Sequence, residues 1–350
     1  MERHHLLAPH GARTSGPPIC IWRRRASQPG APMRHDPLPP FQTEAAAPEL
    51  GFPRLAALVA DLAQQRGLEL HNGHGRSAWC KLEDGEFGAR MGPLGSILYV
   101  RAESRARLEV LRDGWTADLA AAFPGLAPDW SRLDREGAPP PNFSLARLAS
   151  VTRLTADFLR LRIEAPDLDR FSRQLIHFRL VLQPDAGRAP VWPVIGARGQ
   201  TVWPQGPDAL HRPVYTVRAI DAAAGWMEVD VFLHPGGRVA AFACKASQGA
   251  AIGLTGPGGG GIPHAARLLI GGDETAYPAL ARIIAVQDPQ ARIECHLFGR
   301  TADYPLPTHP GLGLQHAPQG EAALAARLSA QGTEAQALWF ATARSALAPL

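Results

Sequence analysis

The sequence has little lysine and contains no long apolar run. Of the 36 basic residues only Lys81 and Lys245 are lysines, and the net charge is a modest +4. No basic stretch is interleaved with aromatic residues as in nucleic-acid-binding proteins, so we expect no nucleic-acid partner. No segment approaches the roughly 20 apolar residues that a membrane-spanning helix needs, and no apolar signal core follows the start. We therefore expect no membrane insertion and a cytoplasmic protein.

Cysteine is also scarce, and its spacing excludes several kinds of site. The four cysteines contain no Cys-x-x-Cys pair; they are Cys20, Cys80, Cys244 and Cys295. Such scatter argues against a structural zinc site, an iron–sulfur cluster and a disulfide framework. We expect no resident metal. A chain of 350 residues with 45% hydrophobic content is long enough for several domains, each with its own core.

The first third of the chain predicts a tail and a small domain. Residues 1–48 are rich in Pro, Arg, Gly and His without periodicity, which predicts a disordered tail. Residues 49–136 combine a helical pattern, short alternating strands and a second helix, which predicts a small α+β domain. His71 and His74 beside glycines either bind a ligand there or lie in a polar turn between strands.

The remaining chain predicts two further domains after a proline-rich linker at 137–142. Short alternating runs without strong helices fill residues 143–262, as in an antiparallel Greek-key β-barrel. From residue 265 to 350, strands alternate with helices, which predicts an α/β unit with a parallel sheet. The chain stops just after a predicted helix begins at Ser345, as a truncated unit would.

The strand Arg212–Arg218 carries side chains suited to a flavin. A flavin needs a flat apolar wall, a hydrogen-bond donor and positive charge for its pyrophosphate. Tyr215, Thr216 and the flanking arginines could supply these, and alternation places Tyr215 and Thr216 on opposite faces. An ordinary strand with a packed tyrosine and solvated arginines is the alternative.

Two glycine-rich segments follow. Gly236 and Gly237 lie where a strand ends and a helix begins, so backbone amides and the helix N-terminus could bind a phosphate. A tight turn without a ligand is equally compatible with these residues. The run Gly256–Gly261 lacks the Lys-Ser/Thr ending of a phosphate loop and precedes its strand. We interpret it as an interdomain hinge with some nucleotide contact, or as a plain linker.

The segment Gly272–Ala276 follows a predicted strand and opens a helix, where a dinucleotide fold places its phosphate loop. Asp273 and Glu274 would repel a pyrophosphate at that point, so they either face the nicotinamide or substrate, or simply cap the helix. Arg300, at the end of the next predicted strand, either reads the 2′-phosphate of NADPH or is solvated.

Together these motifs resemble the siderophore-interacting protein family, whose members are FAD-dependent ferric-siderophore reductases related in fold to ferredoxin-NADP reductases. The resemblance covers roughly residues 143–343, and residues 49–136 resemble a small domain of unknown function fused ahead of that family. The segments that carry it are Arg212–Arg218, His234–Arg238, Gly256–Gly258 and, most specifically, Gly271–Ala279.

The resemblance implies FAD and NADPH or NADH as cofactors, with a ferric siderophore as substrate. Hydride would pass from NAD(P)H to FAD, and single electrons would then reduce iron(III) to iron(II); ferredoxin is a possible alternative donor. A flavin- or siderophore-binding protein without turnover is the competing hypothesis.

The resemblance also implies site residues. Tyr215, Thr216, Asp273 and Glu274 are the predicted catalytic residues. The predicted cofactor-binding residues are Arg212, Tyr215, Thr216, Val217, Arg218, His234, Gly236, Gly237, Arg238, Val239, Ala240, Thr275 and Arg300. Pro213 stands where the family has its arginine, so the pyrophosphate contact is expected from Arg212, Arg218 or Arg238.

Overall fold

The structure, a computed structural model, describes most of the chain. The described residues are 19–24, 38–82, 84–131, 134–172, 175–184, 187–331, 334–335 and 337–342. They form three large sheets, a two-stranded hairpin and five α-helices. The predicted helix start at Ser345 lies outside the described residues.

The elements are numbered in chain order. The strands are β1 Ile19–Arg24, β2 Phe41–Ala47, β3 Glu69–Asn72, β4 Ser77–Leu82, β5 Gly85–Gly92, β6 Gly95–Ala102, β7 Phe143–Arg153, β8 Phe158–Glu164, β9 Leu175–Val181, β10 Val194–Ile195, β11 Thr201–Val202, β12 Val214–Thr216, β13 Ala219–Asp221, β14 Trp226–Phe232, β15 Ala251–Gly261, β16 Arg267–Gly272, β17 Arg292–Leu297, β18 Leu312–His316 and β19 Ala337–Thr342. The helices are α1 Phe52–Arg66, α2 Arg105–Ala122, α3 Arg238–Lys245, α4 Tyr277–Ala285 and α5 Glu321–Gln331.

The N-terminal unit is an antiparallel sheet packed against two helices. Its strand order is β2-β6-β5-β4-β3, and both helices contact the sheet. Helix α1 ends at Gly67, whose φ of 62° suits glycine, and the Ser104 side chain accepts the N–H of Arg107 to start α2. Leu55 and Val59 on α1 meet Trp115 on α2 in one core, as the helical spacing predicts.

The prediction of a disordered tail over residues 1–48 is wrong for two segments. Strand β2 is the edge strand of the N-terminal sheet, and its alternate residues Thr43, Ala45 and Ala47 are buried. The pattern escaped composition-based reasoning because small side chains rather than large apolar ones face the core. Strand β1 pairs antiparallel with β19 in the C-terminal sheet.

The middle unit is an antiparallel sheet that closes on itself. Its strand order is β12-β9-β15-β7-β8-β14-β13. Strands β12 and β13, the two ends of this order, are joined by only Val217 and Arg218. Val217 donates its N–H to the Ile176 carbonyl (2.9 Å), and Arg218 donates its N–H to the Glu228 carbonyl (2.8 Å). One chain segment therefore pairs first with β9 and then with β14, which closes the barrel around an apolar core.

The glycine run Gly256–Gly261, expected to be a hinge, lies within β15. It pairs with β9 at Gly258 opposite His177, with register shifts on either side. Gly259 has a φ of 76°, and a Cβ there would lie 2.9 Å from the His177 ring. Glycine is required because the backbone passes directly over this imidazole.

The C-terminal unit has the predicted parallel sheet. Strands β19, β16, β17 and β18 run parallel in that order, with β1 antiparallel at the edge. Helix α4 follows β16 and buries nearly its whole surface, including Ile283 and Ile284. The apolar residues at helical spacing behind β16 therefore pack as the sequence predicts.

Buried polar groups hold the barrel against the parallel-sheet unit. Arg282 on α4 donates to the carbonyls of Val217 (2.7 Å) and Phe171 (3.2 Å) in the barrel. Tyr304 donates its hydroxyl to the Asp230 carboxylate (2.6 Å), which the Arg160 guanidinium also binds at 2.7 and 2.8 Å. The Asp230 side chain is fully buried, so each of these bonds replaces lost hydration.

The N-terminal unit contacts the barrel through α2 and the β10–β11 hairpin. Thr201 donates its hydroxyl to Glu109 (2.7 Å), and Trp130 donates its main-chain N–H to the Arg198 carbonyl (3.2 Å). In the predicted linker, Gly137 donates its N–H to the Ile195 carbonyl (2.8 Å). The segment between the two units is thus fixed by main-chain hydrogen bonds.

We predict that Tyr304→Phe destabilises the contact between the barrel and the parallel-sheet unit. The variant keeps the ring that packs on Phe158 and removes the hydroxyl that bonds Asp230 and lies beside the Arg218 side chain. The free energy of unfolding should fall by about 1–3 kcal/mol, the range for a bond to a charged partner. Urea unfolding followed by tryptophan fluorescence measures this. Tyr99→Phe, in the N-terminal sheet, is the matched control, and an equal effect of both variants would contradict the prediction.

Candidate functional site

The predicted flavin strand places its two central side chains on opposite faces. Tyr215 lies opposite Phe178 and packs against the barrel core while remaining partly exposed. Burial raises the pKa of Tyr215, so its hydroxyl stays protonated. Thr216 is buried on the other face, with its Oγ1 3.3 Å from Nδ1 of His177. Of these two side chains, Tyr215 presents a partly open aromatic ring.

His177 on β9 is a buried partner of Thr216 that the sequence did not reveal. Burial lowers the pKa of His177 to about 4, the nearby Arg282 charge lowers it too, and a hydrogen bond to the Tyr215 main chain raises it. The imidazole is therefore neutral near pH 7 and can hold the Thr216 hydroxyl without adding charge.

Basic side chains gather beside this strand. We call Arg179, His211, Arg212 and Arg238 the basic cluster; its three arginines are exposed and His211 is half-buried. Arg179 donates to the Arg212 carbonyl (2.9 Å), and the Arg212 guanidinium lies 4.1 Å from the centre of the Trp203 ring. Burial and then the Arg179 charge lower the pKa of Arg212; burial and then the Arg238 charge lower the pKa of His211. Crowded like charges of this kind favour an anionic ligand.

The N-terminus of α3 adds open backbone amides next to the basic cluster. Gly236 has a φ of 78° and Gly237 is the N-cap, and the first turn carries no acidic residue. A Cβ on Gly236 would meet nothing within 4 Å, so this turn faces open space. His234 is exposed, and its ring stacks on Phe232 with centroids 6.2 Å apart. Amides, helix dipole and cations together suit a phosphate group.

The other predicted residues of this segment have supporting positions. Val239 is buried and Ala240 half-buried against the barrel core. Val217 is fully buried in the same core, and its N–H and carbonyl already bond Ile176 and Arg282. These three side chains hold the strand and helix rather than face a ligand.

Arg218 lies apart from the basic cluster. Its side chain lies beside the Tyr304 hydroxyl at the contact with the parallel-sheet unit. Its Nε is buried with no hydrogen-bond partner among the described residues. Of the three arginines expected to contact a pyrophosphate, the structure therefore groups Arg212 with Arg238 and separates Arg218.

The predicted carboxylates of the parallel-sheet unit fasten the loop between β16 and α4. One Asp273 oxygen accepts both the N–H (3.0 Å) and the hydroxyl (2.6 Å) of Thr275. Glu274 accepts the main-chain N–H of Arg300 (2.7 Å), while the Arg300 side chain is exposed at the end of β17. Both carboxylates thus bond neighbouring loop residues, while the N-cap residue of α4, Ala276, has no side-chain cap hydrogen bond.

The same loop depends on a glycine that the sequence did not single out. Gly299 donates its N–H to the Tyr277 hydroxyl (3.1 Å), which itself donates to the Thr301 carbonyl (2.9 Å). A Cβ on Gly299 would lie 2.5 Å from both Glu274 and the Tyr277 hydroxyl. Loop and strand end can approach this closely only with glycine.

Two further observations concern metal-binding groups and membrane-spanning helices. No three His, Cys, Asp or Glu side chains come together as a metal site in the part of the chain that the structure describes. Nor is any helix in that part long and apolar enough to cross a membrane.

Comparison with known proteins identifies the barrel. Residues 147–261 match the siderophore-interacting FAD-binding domain. The chain is 34% identical over 102 residues to the ferric vibriobactin reductase ViuB of Vibrio cholerae, covering 27% of this chain and 35% of that protein. It is 32% identical over 141 residues to an NADPH-dependent ferric-chelate reductase of Escherichia coli, covering 38% and 52%.

The chain therefore spans from about a third to about half the length of the curated relatives it matches. Among solved structures, the siderophore-interacting protein SipS of Aeromonas hydrophila is 22% identical, with a TM-score of 0.45. That match covers 57% of this chain and 79% of the other. The family match is thus confined to residues 147–261, which are similar to the siderophore-interacting FAD-binding domain.

Proposed function

We propose that the chain is an FAD-dependent ferric-siderophore reductase that takes electrons from NADPH, or from NADH or ferredoxin, and releases iron(II). The observation that carries the proposal is the basic cluster beside the open N-terminus of α3, within the segment that matches the FAD-binding domain. The names of the two reductase relatives support reduction of chelated iron.

The basic cluster fits a pyrophosphate on electrostatic grounds. Arg179 lies close to Arg212 and its charge lowers the Arg212 pKa more than the Asp113 charge raises it, and Arg238 lies near His211. A doubly charged pyrophosphate would relieve this repulsion and accept charge-assisted hydrogen bonds from Arg212 and Arg238. The first amides of α3 would complete its coordination.

The isoalloxazine would lie on the partly exposed ring of Tyr215. Thr216, held by His177, keeps the strand in place from its other face. FAD supplies the conversion of a two-electron hydride into single-electron steps, which a hydride donor and an iron(III) acceptor require. The protein's part is to bind and orient that group and to keep the neighbouring His177 neutral.

The parallel-sheet unit would bind the nicotinamide nucleotide. The loop that Asp273, Glu274 and Thr275 fasten lies at the carboxyl end of β16, where such folds bind nucleotides. The exposed Arg300 side chain is suited to the 2′-phosphate of NADPH, consistent with the name of the E. coli relative.

A flavin- or siderophore-binding protein without turnover is the second candidate. Both predicted catalytic carboxylates already accept hydrogen bonds, Asp273 from Thr275 in its own loop and Glu274 from Arg300 after β17. These bonds hold the loop whether or not the protein catalyses a reaction.

An anaerobic visible spectrum of the FAD-reconstituted protein separates the two candidates. We predict a protein-bound flavin band that bleaches on addition of NADPH, followed by recovery when a ferric siderophore is added. Bound flavin that neither NADPH, NADH nor reduced ferredoxin bleaches would favour the binding protein. Absence of flavin binding would contradict the reductase and the flavin-binding protein, and would leave only a siderophore-binding protein.

We predict that Tyr215→Ala weakens FAD retention while Tyr215→Phe preserves it. The aromatic ring, not the hydroxyl, would contact the isoalloxazine, so the loss of stacking should cost about 1 kcal/mol beyond lost burial. Flavin content after gel filtration and an FAD titration measure this. Because Tyr215 also packs on the barrel core, both variants are first compared with the wild type by circular dichroism. Unchanged affinity in folded Tyr215→Ala would contradict the stacking role.

A further inference from the structure

The side of α2 that faces the barrel carries a cluster of charges. Glu109 and Arg112 are paired and almost fully buried, and Asp113 lies one turn beyond Glu109. Burial, followed by the Asp113 charge, raises the pKa of Glu109 to about 7. Buried charges cost stability unless bonded, so their persistence at this contact calls for a role.

The two carboxylates of this cluster, Glu109 and Asp113, bind the β10–β11 hairpin through Thr201. Thr201 donates its hydroxyl to Glu109 (2.7 Å), and its N–H points at Asp113 (3.5 Å). Thr201 and Glu109 are 92 residues apart in sequence, so the bond joins the N-terminal unit to the barrel. The hairpin is also held by the pairing of β10 with β11, by main-chain hydrogen bonds that Gly137 and Trp130 donate to it, and by the buried Ile195 side chain.

Trp203 lies two residues after Thr201, directly after β11, and contacts the basic cluster. The Trp203 ring packs edge-on to Phe143 (6.5 Å) and carries the Arg212 guanidinium on its face at 4.1 Å. A cation over an indole is held by the ring quadrupole, so the position of Trp203 directs Arg212. The Asp113 charge also acts on Arg212, in the direction that keeps it protonated.

We propose that the N-terminal unit is a positioning element of the flavin site: α2 holds Thr201 through Glu109, and thereby fixes Trp203 and the Arg212 guanidinium for the FAD pyrophosphate. Thr201 and Glu109 are positioning residues, since neither would touch the cofactor. This inference rests on the proposed function, in which Arg212 binds the pyrophosphate.

We predict that Thr201→Val, which removes the hydroxyl at nearly constant shape, weakens the binding of FAD. The Kd for FAD should rise about three- to tenfold, as expected for a lost hydrogen bond. The Kd for riboflavin, which has no pyrophosphate, should not change. Thr201→Ser, which keeps the hydroxyl, should bind FAD as the wild type does. Quenching of flavin fluorescence on titration into the apoprotein measures all of these.

Thr43→Val is the matched control. It removes a buried hydroxyl bonded to Ser131 within the N-terminal unit, away from the barrel, and should leave the Kd for FAD unchanged. A double-mutant cycle then tests the route: in an Arg212→Ala background, Thr201→Val should have no further effect on FAD binding.

These measurements test the proposed function and the positioning role of Thr201 separately. Failure of the wild type to bind FAD would overturn the proposed function. Normal FAD binding with equal Kd values for wild type and folded Thr201→Val would overturn the positioning role. An equal loss of FAD and riboflavin affinity, or a full Thr201→Val effect without Arg212, would also overturn it.

Discussion

The hydrogen bond from Arg282 to the Val217 carbonyl is the contact on which the arrangement of the site depends. Val217 lies between β12, which pairs with β9, and β13, which pairs with β14, so its main chain closes the barrel. Its N–H bonds the Ile176 carbonyl, and its own carbonyl accepts from Arg282. Arg282 lies on α4, and the loop that contains Asp273 and Glu274 leads into this helix. The buried Arg282 guanidinium therefore fixes the loop between β16 and α4 relative to the strand of Tyr215. Burial lowers its pKa only to about 10, so it stays charged.

Charged side chains of two kinds surround the site, some exposed and some bonded within the protein. The cations beside β12 and α3 are exposed and crowded, as an anion site requires, whereas Arg160 and Arg282 are used within the protein. Asp230 and the Glu109–Arg112 pair lie at the two contacts of the barrel with its neighbours. Polar groups thus set the domain arrangement, and the apolar cores provide most of the stability.

Local patterns predicted much of this fold, and long-range pairing explains what they missed. The barrel strands and the β16–α4 unit followed from periodicity, and Tyr215 and Thr216 from a short motif. Strand β2 was missed because alanine and threonine carry its alternation. Arg179 and His177 were missed because their place beside β12 depends on strand pairing. Arg218 was grouped with Arg212 by closeness in sequence, yet the chain changes partner strand between them.

A crystal structure of the protein with FAD tests the central claim most directly. We predict the pyrophosphate at the first turn of α3, within hydrogen-bond distance of Gly237 or Arg238 and of the Arg212 guanidinium on Trp203. The isoalloxazine should stack on Tyr215. FAD bound elsewhere on the barrel, or a pyrophosphate held by Arg218 in place of Arg212 and Arg238, would contradict this account.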